Sequence, residues 1–205
     1  MSTICTIVEA PGIVPAVKQS KNFDCWAVVT TTLISWREQI NYDVHTIMER
    51  LGSEYLKLYE DDTGLPTNKV NEWTLASGLI KEEPQCYPQS KIRDIINEFG
   101  PIVFTTGQDE NGLHLMRARI VTGMQNTKGP NANGDCTISE TDATEILGLD
   151  PFDGHTFTLP YSTFGEQLEH QPSDCHLFAQ VVLCPRKLCS YPVNENKCVK
   201  NSIQK

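Results

Sequence analysis

The sequence has no apolar run approaching the roughly 18 residues that a membrane span needs. Its opening, Met1 to Thr6, has neither a basic stretch nor a long apolar segment, so no secretory signal is expected. These two absences predict a cytoplasmic chain, a chain exported by a route that needs no such signal, or a domain cut from a longer protein. An excess of basic residues is also missing. There are 17 Lys and Arg against 26 Asp and Glu, for a net charge of −9, which excludes nucleic acid and anionic membrane as the expected partners. No Cys-x-x-Cys pair occurs. Cys184, Cys189, Cys198 and His176 fit no standard zinc spacing, so no metal and no cofactor are expected. Internal repeats and flexible linkers are absent too. A length of 205 residues with 39% hydrophobic and 21% charged content suits one globular domain over 1–205. Within it, 1–18 reads as an extended arm and 185–205 as an irregular tail.

What is present is led by cysteine, eight in all. Cys25 stands where a loop meets an apolar run, Ala27 to Trp36, of helical length. A thiol at the first turn of a buried helix meets the positive end of the helix dipole. That favours the thiolate, which is the nucleophilic form. Gln19, six residues upstream, lies in the approaching loop, where its amide can donate to an oxyanion at an attacked carbon. The plain alternative is that Cys25 is a small core residue. Gln19 before it and Trp26 after it favour the nucleophile, with Trp26 itself read as core packing. Seven cysteines remain: Cys5, Cys86, Cys136, Cys175, Cys184, Cys189 and Cys198. An odd number cannot all pair within one chain. Buried free thiols are expected, with one or two disulfides in the C-terminal tail as the second expectation.

The pattern along the chain places helices first and strands after them. Pro11 and Pro15 make the leader an extended arm or edge strand. The first helix runs over 25–39, held by packing because its β-branched residues are poor helix formers. Ile47, Met48, Leu51, Tyr55 and Leu58 have helical spacing, interrupted at Gly52. Glu60 to Pro66 is an acidic turn, read as solvated. Thr67 and Asn68 cap a helix whose apolar residues are Val70, Trp73 and Leu75 and which stops at Gly78. Ser90 caps another, through Ile92, Ile95, Ile96 and Phe99, ended by Gly100 and Pro101. The period then changes. Strands are expected over 102–106, 117–124, 144–149, 155–160 and 176–183, with turns at 108–112 and 125–136 and a short helix over 161–168. Helices followed by strands predict an α+β fold with an antiparallel sheet.

Gln19, the Cys25-Trp26-Ala27 triplet, His114 ahead of the run Arg119 to Gly123, and Asp150-Pro151 together resemble the papain-like cysteine peptidases. The likeness is to the small bacterial branch that includes Avr-type plant-pathogen effectors and bacteriocin-leader peptidases, and it spans roughly 11–165. The resemblance implies a papain-like fold: a helical half, a sheet half, and an active site in the cleft between them. It implies Cys25 as nucleophile, His114 as base, Asp150 as the residue orienting the imidazole, and the Gln19 amide with the Cys25 N–H as oxyanion hole. The implied substrate is a protein or peptide. An effector or toxin role would add a cognate inhibitor or immunity protein as partner. The related alternatives are an amidase or transglutaminase-like acyl transferase, and an inactive binding module on the same fold.

One spacing departs from the family. Its histidine stands six residues before the strand-ending glycine, and counting back from Gly123 lands on Arg117. His114 is three residues further upstream, which reverses side-chain parity on a strand. A β-bulge, or the turn after Gly112, would have to re-aim it. His155, just past the Asp-Pro turn, is the rival base, while His45, His170 and His176 fall elsewhere.

Overall fold

The computed structural model describes residues 4–83, 85–110, 113–138, 143–169 and 181–185, with only the backbone described for 107–110, 113–116 and 169. The chain opens with a strand, β1 (Cys5–Glu9), and reaches its first helix, α1 (Cys25–Glu38), through a long irregular arm. Every residue of α1 from Trp26 to Trp36 is buried. That explains why a run of Val and Thr stays helical: burial on all sides outweighs weak intrinsic propensity. Two of its threonines satisfy their hydroxyls inside the helix, Thr30 on the Trp26 carbonyl at 2.6 Å and Thr31 on the Ala27 carbonyl at 2.9 Å.

Helices α2 (Val44–Leu51) and α3 (Ser53–Glu60) flank Gly52, which has φ 128°, a value that side-chain-bearing residues rarely adopt. Asp43 caps α2 through the Thr46 N–H at 2.9 Å. A 3-10 turn (Thr67–Lys69) leads into α4 (Val70–Ser77). The buried stripe of α4 is Val70, Trp73, Thr74 and Ser77. Leu75, expected on the core face, is 82% exposed, because position 75 lies off the arc that 70, 73, 74 and 77 share. A two-residue strand, β2 (Ile80–Lys81), precedes α5 (Gln89–Phe99). Pro88, not Ser90, takes the N-cap place of α5. Gly100 then has φ +84°, and a Cβ there would collide with the Trp36 ring.

The strands β3 (Ile102–Glu110), β4 (Leu113–Asn126), β5 (Thr144–Asp150) and β6 (His155–Pro160) are followed by α6 (Tyr161–Glu169) and β7 (Val181–Leu183). Strands extend into the stretch expected as a turn at 108–112, leaving 111–112 outside the described residues. The 176–180 part of the last expected strand, and the tail beyond 185, also lie outside them. The sheet runs β2-β7-β3-β4-β5-β6, antiparallel at every described pairing. On one edge of β4, β3 covers 113–121 and β1 takes over at 123–126; β5 covers the other edge from 120 to 126. The expected arm therefore supplies a real strand. A bulge falls between Val121 and Gly123, where a Cβ would stand 2.8 Å from the Val8 carbonyl.

Alternate strand residues enter two cores. Val103, Ala118, Ile120, Leu149 and Val182 join Trp26, Leu33 and Trp73 on the face covered by α1. Phe104, Val121, Ile146 and Val181 join Ile92, Ile96 and Phe164 on the face covered by α5 and α6. This is an α+β fold with helices on both faces of an antiparallel sheet. Among the described residues, no helix is long and apolar enough to cross a membrane.

The expectation of buried free thiols holds at Cys184 and is corrected at Cys5 and Cys136. Cys5 of β1 is bonded to Cys136 of the loop between β4 and β5, with Cα atoms 5.6 Å apart. The pairing forms because β1 folds back beside β4 and meets the loop that leaves it. Cys25, Cys86 and Cys184 are free, and Cys175, Cys189 and Cys198 lie outside the described residues.

Candidate active site

Cys25 is the first residue of α1 and is partly exposed. Asp24 holds the N-cap place, yet its side chain makes no cap bond to the first turn. The carboxylate turns back into the loop, where Oδ2 accepts from the Ser20 N–H at 3.2 Å and the Ser20 hydroxyl at 3.4 Å. Asp24 is 1% exposed, and its Oδ1 is buried without a partner. Burial pushes this carboxyl up, opposed by the N–H groups of Ser20 and Lys21, while the charge of Asp62 pushes it further up.

From outside, the same loop is held by the end of α3. Asp62, a non-glycine residue with φ 51°, accepts from the Phe23 N–H at 3.0 Å and the Asn22 N–H at 3.3 Å. The Lys21 ammonium donates to the Tyr59 and Glu60 carbonyls and lies over the Tyr59 ring. The acidic turn read as solvated is thus, at Asp62, a clamp on the loop before the thiol. Gln19 is fixed at both ends. Its N–H donates to the Pro151 carbonyl at 2.7 Å, and its side-chain amide donates to the Lys21 carbonyl at 2.9 Å.

Strand β4 forms the other wall. Burial pushes the Cys25 thiol up; the Ala118 and Trp26 N–H groups pull it down, Asp24 pushes it up, and Arg117 pulls it down. The net direction is upward, and burial of the sulfur is its largest cause.

Asp150 ends β5. Its Oδ1 accepts from the Phe152 N–H at 2.9 Å, an Asx turn that shapes the chain around Pro151. Burial pushes the Arg119 guanidinium down from its ordinary value, and the charge of Asp150 opposes this. Arg119 donates to Thr106 at 3.0 Å and to Gln167 at 2.7 Å and lies beside Phe104 and Phe157. Arg117 lies 4.5 Å over the Phe152 ring. His155 pairs with Asp150 on the ladder, but its side chain is 81% exposed, with Nδ1 3.5 Å from Asp153. His114 pairs with Asp109, and the β3–β4 ladder runs without a bulge between it and Ala118. The only bulge of the β4–β5 pairing lies beyond, at Thr122. Four residues of strand put His114 about 14 Å along β4 from Ala118 at the ordinary rise of about 3.4 Å per residue.

The fold therefore brings Cys25 onto β4 and ties the Gln19 loop to the Asp150-Pro151 turn. It keeps His155 on Asp153 and sets His114 further along the strand. Two residues escaped the sequence reading. Asp24 adjoins Cys25, and Asp62 sat within a turn taken for solvent; Arg117 is where the count from Gly123 landed. Of the two, Asp24 had a signal in the sequence, its place beside Cys25.

A thiol opening a buried helix that packs on an antiparallel sheet is the arrangement of a papain-like cysteine peptidase. The family model described as papain-like cysteine protease AvrRpt2 matches residues 10–156, a span that includes Gln19, Cys25, His114 and Asp150. The chain belongs to that family. No curated protein gives a match.

Proposed function

We propose that this protein hydrolyses peptide bonds, with Cys25 as nucleophile. The observation that carries the reading is the placement of Cys25 at the start of α1 against β4 in a chain of this family. The thiolate attacks the substrate carbonyl. The negative oxygen that forms meets the Cys25 N–H and the Gln19 amide. One amide hydrogen of Gln19 is held by Lys21, which orients the side chain and leaves the other hydrogen for the oxyanion. His114 takes the thiol proton and returns it to the leaving amine, with Asp150 orienting the ring. In this assignment the imidazole reaches Cys25 only if the end of the β3–β4 hairpin bends towards α1, which makes His114→Ala the decisive variant for the base. The substrate is a protein or peptide. An effector or toxin role in another cell fits the family's name, and would require the producer to make an inhibitor covering the site.

A second reading is supported by one observation. Among the described side chains of β4, one whose charge acts on the thiol is Arg117, which carries a proton permanently and cannot serve as a base. That favours an inactive binding module on the same fold. An amidase or transglutaminase-like transferase is the enzymatic variant. Labelling with an iodoacetamide or epoxide probe, followed by mapping of new protein N-termini against Cys25→Ala, separates the three. A binding module shows no selectively reactive Cys25, and an amidase labels but leaves proteins whole.

A further inference from the structure

We propose that Asp24 is a positioning residue for the oxyanion loop, holding residues 19–24 closed beside the start of α1 through its buried Oδ2. This rests on the peptidase reading above. An aspartate at a helix N-cap ordinarily accepts from the second or third amide of the helix. Asp24 makes no such bond. Its oxygen instead gathers the Ser20 N–H at 3.2 Å and the Ser20 hydroxyl at 3.4 Å, closing a turn over the residues that follow Gln19. The carboxylate is withheld from the amides of Trp26 and Ala27 that a cap would take and is committed to the loop instead. Gln19, one residue before Ser20, has its own N–H on Pro151 and its side chain on Lys21. Loss of the Asp24 turn removes the inner support of that side chain, while Asp62 still holds Asn22 and Phe23 from outside.

This placement has a chemical drawback that makes the role recognisable. Asp24 is almost fully buried, keeps one oxygen unpartnered, and stands directly beside the nucleophile. Its negative charge opposes the thiolate of Cys25. A residue present only to activate the thiol would not be an aspartate, and one present only to cap the helix would bond to the first turn. The arrangement makes sense if loop geometry matters more to turnover than thiol acidity.

The test uses Asp24→Ala and Asp24→Asn in the full chain, with Cys25→Ala alongside. Turnover of a peptide substrate is measured together with the iodoacetamide alkylation rate of the Cys25 peptide, resolved by mass spectrometry. Asp24→Ala is expected to lower kcat about tenfold or more with KM within about threefold, as for a loss felt by the oxyanion. Alkylation of Cys25 is expected to be as fast as in the wild type or faster. Asp24→Asn keeps an acceptor oxygen for Ser20 and lacks the charge, so kcat should return to within about threefold of wild type while alkylation stays fast. Unchanged kcat in Asp24→Ala, or a parallel loss of turnover and alkylation in either variant, overturns the proposal. If Asp24→Ala does not fold, Asp24→Asn alone decides by the same two readouts. Turnover that survives in Cys25→Ala overturns the peptidase reading itself, a separate result from any failure of Asp24.

Discussion

Opening the Cys5–Cys136 bond should be the most damaging change to stability that leaves every packed side chain in place. The bond closes a loop with a sequence separation of 131 residues. In the chain-entropy account, a loop of that length removes about 17 cal/mol/K from the unfolded ensemble, or about 5 kcal/mol at 25 °C. A domain of this kind has only about 5–15 kcal/mol of total stability. The native side of the balance should change little, because β1 remains paired to β4 and position 5 is buried. Alanine is therefore the replacement of choice, since a serine hydroxyl would be desolvated at position 5. The assay is urea unfolding followed by tryptophan fluorescence. It compares the oxidised protein, the protein in a phosphine reductant, and the Cys5→Ala/Cys136→Ala variant. With a urea slope of about 2–3 kcal/mol/M, the midpoint should fall by about 2 M in both the reduced and the double-variant protein. Cys86→Ala, at an exposed free thiol, should not move it. A shift below about 0.4 M, with the bond verified intact in the starting material, would refute the reasoning, because it would mean that the unfolded chain is not constrained by this loop.

Cys25→Ala should abolish proteolysis without unfolding the domain, and residual turnover above about one percent of wild type would remove Cys25 from the nucleophile's role, since loss of a nucleophile ordinarily costs far more than that. His114→Ala should destroy turnover while His155→Ala changes it little; the opposite pattern in steady-state assays would move the base to His155. Gln19→Ala should lower kcat by about 10²-fold or more and leave KM nearly unchanged, because the oxyanion exists only in the transition state. Incubation with EDTA should leave peptide turnover as it was, and loss restored by zinc would overturn a metal-free mechanism. Glu38 is held at about 2, chiefly by its hydrogen bonds with Arg50, so this pair's contribution to stability is present above the ordinary carboxylate value of 4.5 and is lost as pH falls through about 2. The stability difference between wild type and Glu38→Gln, read by denaturation at each pH, should therefore narrow between 4.5 and 2.

Much of this architecture is carried by local signals. The apolar run after Cys25, the break at Gly52, the stop at Gly78, the Gly100-Pro101 end and the strand runs after 102 all depend on residues within a turn or two of one another. Local periodicity and backbone freedom are enough to set them. The order of Gln19, Cys25, His114 and Asp150-Pro151 was likewise visible, because a family pattern is written along the chain. What the tertiary structure alone decided depends on neighbours far apart in sequence. It put Leu75 outside and Thr30 inside, and made β1 the partner of β4 after 113 intervening residues, from Glu9 to Gly123. It joined Cys5 to Cys136, used Asp62 to hold the loop at Asn22 and Phe23, and turned Asp24 away from the helix it precedes. It also set the direction in which the Cys25 thiol is shifted. The dipole at a helix start can be read from sequence, but the burial that pushes the thiol up comes from the packed chain, and no local pattern encodes what will cover a sulfur.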